Sequence, residues 1–382
     1  MNGLRLTRRG VGALVIAPVL LAAGLVLGLP VLAGLGGFVL GAVLVALVPA
    51  LVRLRPTVRR TVHPRRLERG DRATAVLVVR NDSAQRRPSF VARDRVGGEP
   101  VDVVVPALGP GATSEHRYPV AADRRGRIDI GPLTVERSDL LGLARSRADM
   151  GEEGALWVHP RRHPLRAVGG GRLRPHHEGV LPVRPVRGSN DLRSLREYVP
   201  GDELRHVHWR ASARASTLLV REYVDPVRPH CTVVLDERVS ALSPEAFEEA
   251  VEVAASVVWA AVEQEHRVAL HAGEPGRPAG GTEAARTLLD RLAAVTQRPD
   301  ADPAQVLDGL GRDAAAGWLV LVGGAGDPAL LARVAALRAR FAPVTVFDLS
   351  GWPESASAPG VLTVRATRAA DAVAAWNRRA AA

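Results

Sequence analysis

The chain has 382 residues, 47% of them hydrophobic, and a formal net charge of +11 at pH 7. That length suffices for two or three domains with separate cores, and the composition excludes wholesale disorder. All 51 basic residues are Arg, so no P-loop lysine, Schiff-base lysine or Ser–Lys dyad exists.

The charge is unevenly placed. Residues 1–66 carry nine Arg and no acid, residues 67–230 are net +7, and the remainder is net −5. The excess adjoins the most apolar stretch of the chain, the pattern of a membrane anchor facing cytoplasm rather than of a nucleic-acid groove. No nucleic-acid partner is expected. The lone cysteine, Cys231, excludes an internal disulfide and reads as a small core residue.

Residues 10–29 and 31–52 are two uncharged apolar runs separated at Pro30. Each is about 20 residues, long enough to cross a hydrocarbon core of about 30 Å. They predict a transmembrane helical hairpin over 1–55, with Gly24, Gly28, Gly34, Gly37 and Gly41 admitting close helix contact. Arg5, Arg8 and Arg9 precede it; Arg53, Arg55, Arg59 and Arg60 follow. The expected topology is a plasma-membrane protein with both termini and its soluble domains cytoplasmic, and the lipid bilayer as a partner.

Residues 56–150 hold short β-type runs at 73–81, 89–96, 101–108 and 127–139, which predict a small β-sandwich. A connecting segment, 151–229, follows; its polar stretch 160–189, rich in Gly, Pro and His, reads as a surface connection. From 230 to 382 short buried-strand runs alternate with helical patterns, beginning with CTVVLD and a helix opened by Ser243-Pro244-Glu245. Such alternation predicts an α/β domain with a mainly parallel sheet.

Within the connection lies YVPGDELRHVHWRASAR, residues 198–214. His206 and His208 have the spacing to share a metal on a strand, with a third ligand from Asp202, Glu203 or elsewhere. Arg193, Arg196, Arg205, Arg210, Arg214 and Arg221 have the charge to meet phosphates, but interleaved acids cut the local field. The third reading is a clasp, in which Arg–carboxylate pairs and the apolar Trp209 lock or present a surface.

The segment 188–224 resembles the signature of the bacterial domain-of-unknown-function 58 family. The resemblance rests on Arg196 and Tyr198; Gly201, Asp202 and Arg205; Trp209; and Ser212, Ala213 and Arg214, with His208 inside the run. It extends to the hairpin, the β region and the α/β end. It implies a C-terminal domain resembling von Willebrand factor A (a Rossmann-like fold), and association with MoxR-type AAA+ ATPases in protein maturation. No reaction is established for that family.

A von Willebrand-type domain carries Asp-x-Ser-x-Ser after its first strand, oxygen ligands for Mg²⁺. Here the run is Asp236, Glu237, Arg238, Val239, Ser240, with Arg in place of the middle Ser; LVGGAGD lacks the expected Thr-Asp, although Asp327 is near. Asp236 is expected to pair with Arg238 or to cap backbone groups, and neither metal nor cofactor is expected. The sequence therefore predicts a non-enzymatic, membrane-anchored interaction or assembly protein, and the resemblance implies that it works with an AAA+ ATPase on a protein client or on the envelope. The alternative is a metal-dependent hydrolase using Asp202, His206 and His208.

Overall fold

The computed structural model describes residues 3–51, 56–138, 141–151, 153–166, 191–199, 207–224, 230–313, 317–352 and 357–381. They fall into two compact units, 1–161 with 292–294, and 162–291 with 295–382.

The first unit opens with strand β1 (Gly3–Leu6) and two apolar helices, α1 (Arg8–Val26) and α2 (Pro30–Leu51). Helix α1 is long and apolar enough to cross a membrane; the apolar part of α2, Pro30–Ala46, is shorter. Thr7 caps α1, its Oγ1 accepting from Gly10 N at 3.1 Å. Of the five glycines expected to admit helix contact, Gly24 does so: a Cβ there would lie 2.3 Å from Ala33 N. Gly36, not among the five, does the same against Leu21 N at 2.5 Å. Nothing lies near Gly34, Gly37 or Gly41, and Gly28 instead turns the chain at φ +69°.

Ten strands follow: β2 (Thr57–His63), β3 (Arg66–Glu68), β4 (Arg72–Arg80), β5 (Phe90–Val96), β6 (Glu99–Val105), β7 (Thr113–Ala121), β8 (Gly126–Ile130), β9 (Leu133–Ser138), β10 (Ala144–Met150) and β11 (Gly154–His159). Strands β2-β4-β7 form one sheet; β1-β10-β9-β5-β8-β11-β3, with β6 beside β5, form another. Their inward residues share one core, among them Ala75, Leu77, Phe90, Tyr118, Val135 and Leu156. Strand β4 alternates buried and exposed positions along its length, as a half-buried strand must. The run 127–139, read as one strand, is two. Gly131 at φ +111° and Pro132, which lacks an N–H, break it between β8 and β9. Residues 154–159, assigned by sequence to the connection, are β11 and pair with β8 and β3.

A buried polar network crosses this core. Arg60 of β2 donates to Asp94 Oδ1 of β5 at 2.7 Å and to the Ile130 carbonyl at 3.0 Å. The Tyr118 hydroxyl of β7 donates to the other Asp94 oxygen. Burial, and then this bond to Asp94, push the Tyr118 phenol well above its usual range. A raised folded pKa means stability that is complete below the unfolded value, about 10, and lost as pH climbs past it. The stability difference between wild type and Tyr118→Phe should therefore be flat from pH 7 to about 10 and shrink above. Urea titrations at stepped pH test this; a difference that stays constant at higher pH would contradict it.

The second unit begins with a strap. Arg162 stacks 4.0 Å above the Trp259 ring, and His163 N donates to Ser256 Oγ at 2.9 Å. Asn377 reads the strap backbone in both directions, donating to Pro164 O at 2.8 Å and accepting from Arg166 N at 2.9 Å. The described start of the supposed surface connection is thus tied down on helices. Next come β12 (Asp191–Glu197), α3 (Trp209–Ala215) and β13 (Leu219–Val224), the two strands antiparallel.

The remainder alternates as expected: β14 (His230–Leu235), α4 (Pro244–Glu263), β15 (Arg267–His271), α5 (Thr282–Ala294), α6 (Pro303–Asp313), β16 (Gly317–Gly323), α7 (Pro328–Ala336), β17 (Val344–Asp348), β18 (Leu362–Arg365) and α8 (Ala369–Ala381). Helix α6 is the element the sequence reading lacked. The sheet order is β15-β14-β16-β17-β18, all parallel. Val234, Leu319 and Leu321 pack with α6 and α7 on one face, and α4 contacts β14, β15 and β16 as well as α8. Burial on both faces explains why β14 is apolar without alternation. Ser243 caps α4 from Oγ to Ala246 N, with Pro244 in the first turn, as its sequence predicts. Trp376 of α8 stacks on Trp318 at 5.2 Å.

Candidate functional site

Chain order locates the crevice. From β14 the chain moves to β15 on one side, then to β16 on the other, so β14 and β16 are neighbours from which the connections diverge. In open α/β sheets ligands bind beyond the carboxyl ends of such strands, where the loops part. Asp236 stands directly after β14, and Asp327 caps α7 after β16.

Asp236 is 0% exposed, and Gly323 lets it come close: a Cβ on Gly323 would lie 2.5 Å from Asp236 Cβ. A side chain at Gly323 would therefore collide with Asp236. Arg238 fills the space between the two carboxylates. Its Nε donates to Asp236 Oδ1 at 3.0 Å, one terminal nitrogen to Asp236 Oδ2 at 2.8 Å, and the other to Asp327 Oδ2 at 2.8 Å. The bond to Asp236, reinforced by Asp327, pushes the guanidinium further up against the opposing effect of burial. It is a fixed positive charge. In turn Arg238, with the amides of Leu330 and Ala329, holds Asp327 below the usual carboxylate range. The pairing of Asp236 with Arg238 expected from the sequence is formed.

Neighbouring carboxylates are likewise engaged. Buried Glu237 accepts from Gly273 N and from Arg298 Nε, the latter at 3.1 Å. Asp348, at the end of β17, accepts from Ala325 N at 3.1 Å and Ser350 Oγ at 2.6 Å. Sequence reasoning missed Glu237, Arg298 and Asp348; for Asp348 an acid closing the apolar strand run VFD was the available signal, as VVLD was for Asp236. Ser240, the last member of the Asp-x-Ser-x-Ser frame, is exposed. A divalent cation does not fit this arrangement, because both Asp236 oxygens already hold a guanidinium and further positive charge would be repelled.

The signature segment is a separate construction in the same unit. Strand β13 receives α3 through Ser212, whose buried Oγ accepts from Leu219 N at 2.8 Å and donates to His208 O at 3.1 Å. His208 N donates to Leu219 O at 2.7 Å, and its ring Nδ1 caps α3 by accepting from Ala211 N at 3.1 Å. Tyr198 is half-buried, its amide bonded to Leu218 O at 2.8 Å, and Arg196 lies opposite Val220 in the β12–β13 register. Arg214 is exposed, and Trp209, read as an apolar anchor, stands 62% exposed. Gly201, Asp202, Arg205 and His206 lie outside the described residues. Among the described residues no group of three or more His, Cys, Asp or Glu is arranged to hold a metal.

With this geometry in view, residues 194–349 match the model of the family described as protein of unknown function DUF58. A curated relative, the uncharacterized protein YeaD of Bacillus subtilis (strain 168), is 30% identical over 152 residues, which are 37% of this chain and 34% of YeaD. The aligned chain thus spans about a third of that relative's length. Among solved structures, the CARDB domain of the PF1109 protein from Pyrococcus furiosus matches 27% of this chain and 93% of its own at 15% identity, TM-score 0.21. A β-glucosidase from Listeria innocua matches 28% of this chain and 16% of its own at 11% identity, TM-score 0.19. Scores that low bear on neither fold nor function. The DUF58 match covers both constructions above, the clasp at Ser212 and the crevice at Asp236.

Proposed function

We propose that this protein is a non-enzymatic, membrane-anchored interaction or assembly factor that works with a MoxR-type AAA+ ATPase on a protein client or on the envelope. In this reading the helix pair crosses the plasma membrane and both soluble units face the cytoplasm. The two-sheet unit is a β-sandwich and the parallel-sheet unit is von Willebrand factor A-like. The observation that carries the reading is the ion-paired Arg238 filling the crevice where such a fold would otherwise hold a reactive ligand or ion. A crevice closed by its own side chains leaves the surrounding loops as a binding surface rather than a reaction chamber.

The reading is preferred to metal-dependent hydrolysis because of His208. A neutral imidazole that accepts at Nδ1 carries its proton on Nε2, which leaves no ring lone pair for a metal. Purification from native membranes at native expression, after mild crosslinking, tests the proposal: recovery of an AAA+ ATPase is the expected result, and recovery of none would count against it. Stoichiometric metal in the purified protein, lost on His208→Ala, would promote the hydrolase instead.

A further inference from the structure

The turn between β9 and β10 is riveted to the start of the membrane helix. Thr7 N donates to the Leu143 carbonyl at 2.9 Å, and Thr7 Oγ1 donates to the Gly142 carbonyl at 2.6 Å. Three residues on, Gly10 lies so close to this turn that a Cβ would sit 2.0 Å from Leu143 O. Strand β1 is itself zipped to β10, from Gly3 opposite Arg147 to Leu6 opposite Ala144. The first turn of α1 and residues 141–143 therefore occupy the same level of the unit.

That level is defined by the helix. At about 1.5 Å per residue, a 19-residue α1 spans about the thickness of a hydrocarbon core, which places its first turn at the lipid–water boundary. Leu141, three residues before β10, is 58% exposed, and Val11, Leu14 and Val15 are exposed apolar residues on α1. Around them stand four exposed arginines: Arg8 and Arg9 on α1, and Arg145 and Arg147 at alternate positions of β10. Among the described residues, Asp149, 3.7 Å from Arg147, and Glu136, opposite Arg147 in the register and bonded to Arg93, are the acids nearby; Asp139 belongs to the same stretch of sequence and lies outside the described residues. Among the described residues positive charge prevails here, four arginines against two carboxylates that are each near an arginine.

We propose that residues 141–147, with the first turn of α1, are a membrane-surface contact for anionic phospholipid. Leu141 seats at the boundary of headgroups and acyl chains, and Arg8, Arg9, Arg145 and Arg147 bind phosphate-bearing headgroups. The proposal rests on the reading of α1 as a bilayer-crossing helix. Its consequence is that the strand-rich unit is held at a fixed height and orientation on the leaflet rather than swinging on a tether.

The test uses the full chain in vesicles, with a nitrobenzoxadiazole label on Leu141→Cys or, separately, on Val19→Cys in the middle of α1. Cys231 is buried and burial pushes its thiol up, so it stays unlabelled. Phosphatidylcholine vesicles with and without phosphatidylglycerol carry nitroxide either at the headgroup or deep in the acyl chain. The label at 141 should be quenched severalfold better by the headgroup nitroxide, more so with phosphatidylglycerol, and R145Q/R147Q should remove that lipid preference. Quenching at 19 by the deep nitroxide, with none at 141, would overturn the proposal while leaving the anchor intact. No quenching at 19 would instead overturn the anchor. Quenching at 141 that ignores both phosphatidylglycerol and R145Q/R147Q would overturn the headgroup site.

Discussion

Replacing Asp94 with Ala is expected to destabilise the strand-rich unit by about 3–5 kcal/mol, the range for removing one partner of a buried ion pair. The Asp94 side chain is fully buried and that of Arg60 nearly so. The substitution leaves Arg60 with its bond to the Ile130 carbonyl but without its counter-charge, and strips the Tyr118 hydroxyl of its acceptor. For a unit of this size the melting midpoint should fall by about 10 °C. Calorimetry or urea titration followed through Trp157 measures it. The double variant Arg60→Met with Asp94→Leu should recover most of the loss, because apolar side chains of similar size need no partner. A loss below about 1 kcal/mol for Asp94→Ala would show that water reaches the network.

Arg238→Ala should act as strongly on the parallel-sheet unit, again about 3–5 kcal/mol. It leaves the fully buried Asp236 carboxylate with the amide of residue 238 as a remaining donor, at 3.1 Å. It also unties the β14 loop from the cap of α7, since Arg238 bridges Asp236 and Asp327. Arg238→Lys should rescue only part of this, because an ammonium cannot span the two carboxylates with a fork. Urea titration of the three forms measures the effect. Equal stability of wild type and Arg238→Ala would mean that the guanidinium spends its time in solvent.

Much of this architecture was legible in the sequence because its signals are local. The strand-helix alternation after residue 230 follows from apolar runs such as CTVVLD and from the Ser243-Pro244 cap, and each is written in a few adjacent residues. The pairing of Arg238 with Asp236 is two residues apart and was equally visible. What could not be read depends on distant segments. Gly36 matters because Leu21 faces it, and Glu237 because Gly273 and Arg298 come to it. The split at Gly131-Pro132 was hidden by apolar alternation on both sides, where backbone geometry overrode the side-chain period. The strap at 162–166 looked like loop because its partners, Trp259, Ser256 and Asn377, lie about a hundred or more residues away. Trp209, whose apolar side chain offered an anchor in either a locked or a presented surface, is exposed, and its exposure depends on surroundings that its own sequence does not write.

The proposed role depends on Arg238 occupying the crevice at the carboxyl ends of β14 and β16. Calorimetric titration of Mg²⁺ and Mn²⁺ into the solubilised full chain tests this directly. The predicted result is no saturable heat for the wild type up to millimolar metal, and at most weak binding for Arg238→Ser, which removes the charge and restores the Asp-x-Ser-x-Ser pattern. Stoichiometric binding by the wild type, abolished by Asp236→Ala, would contradict it and make the crevice a metal site.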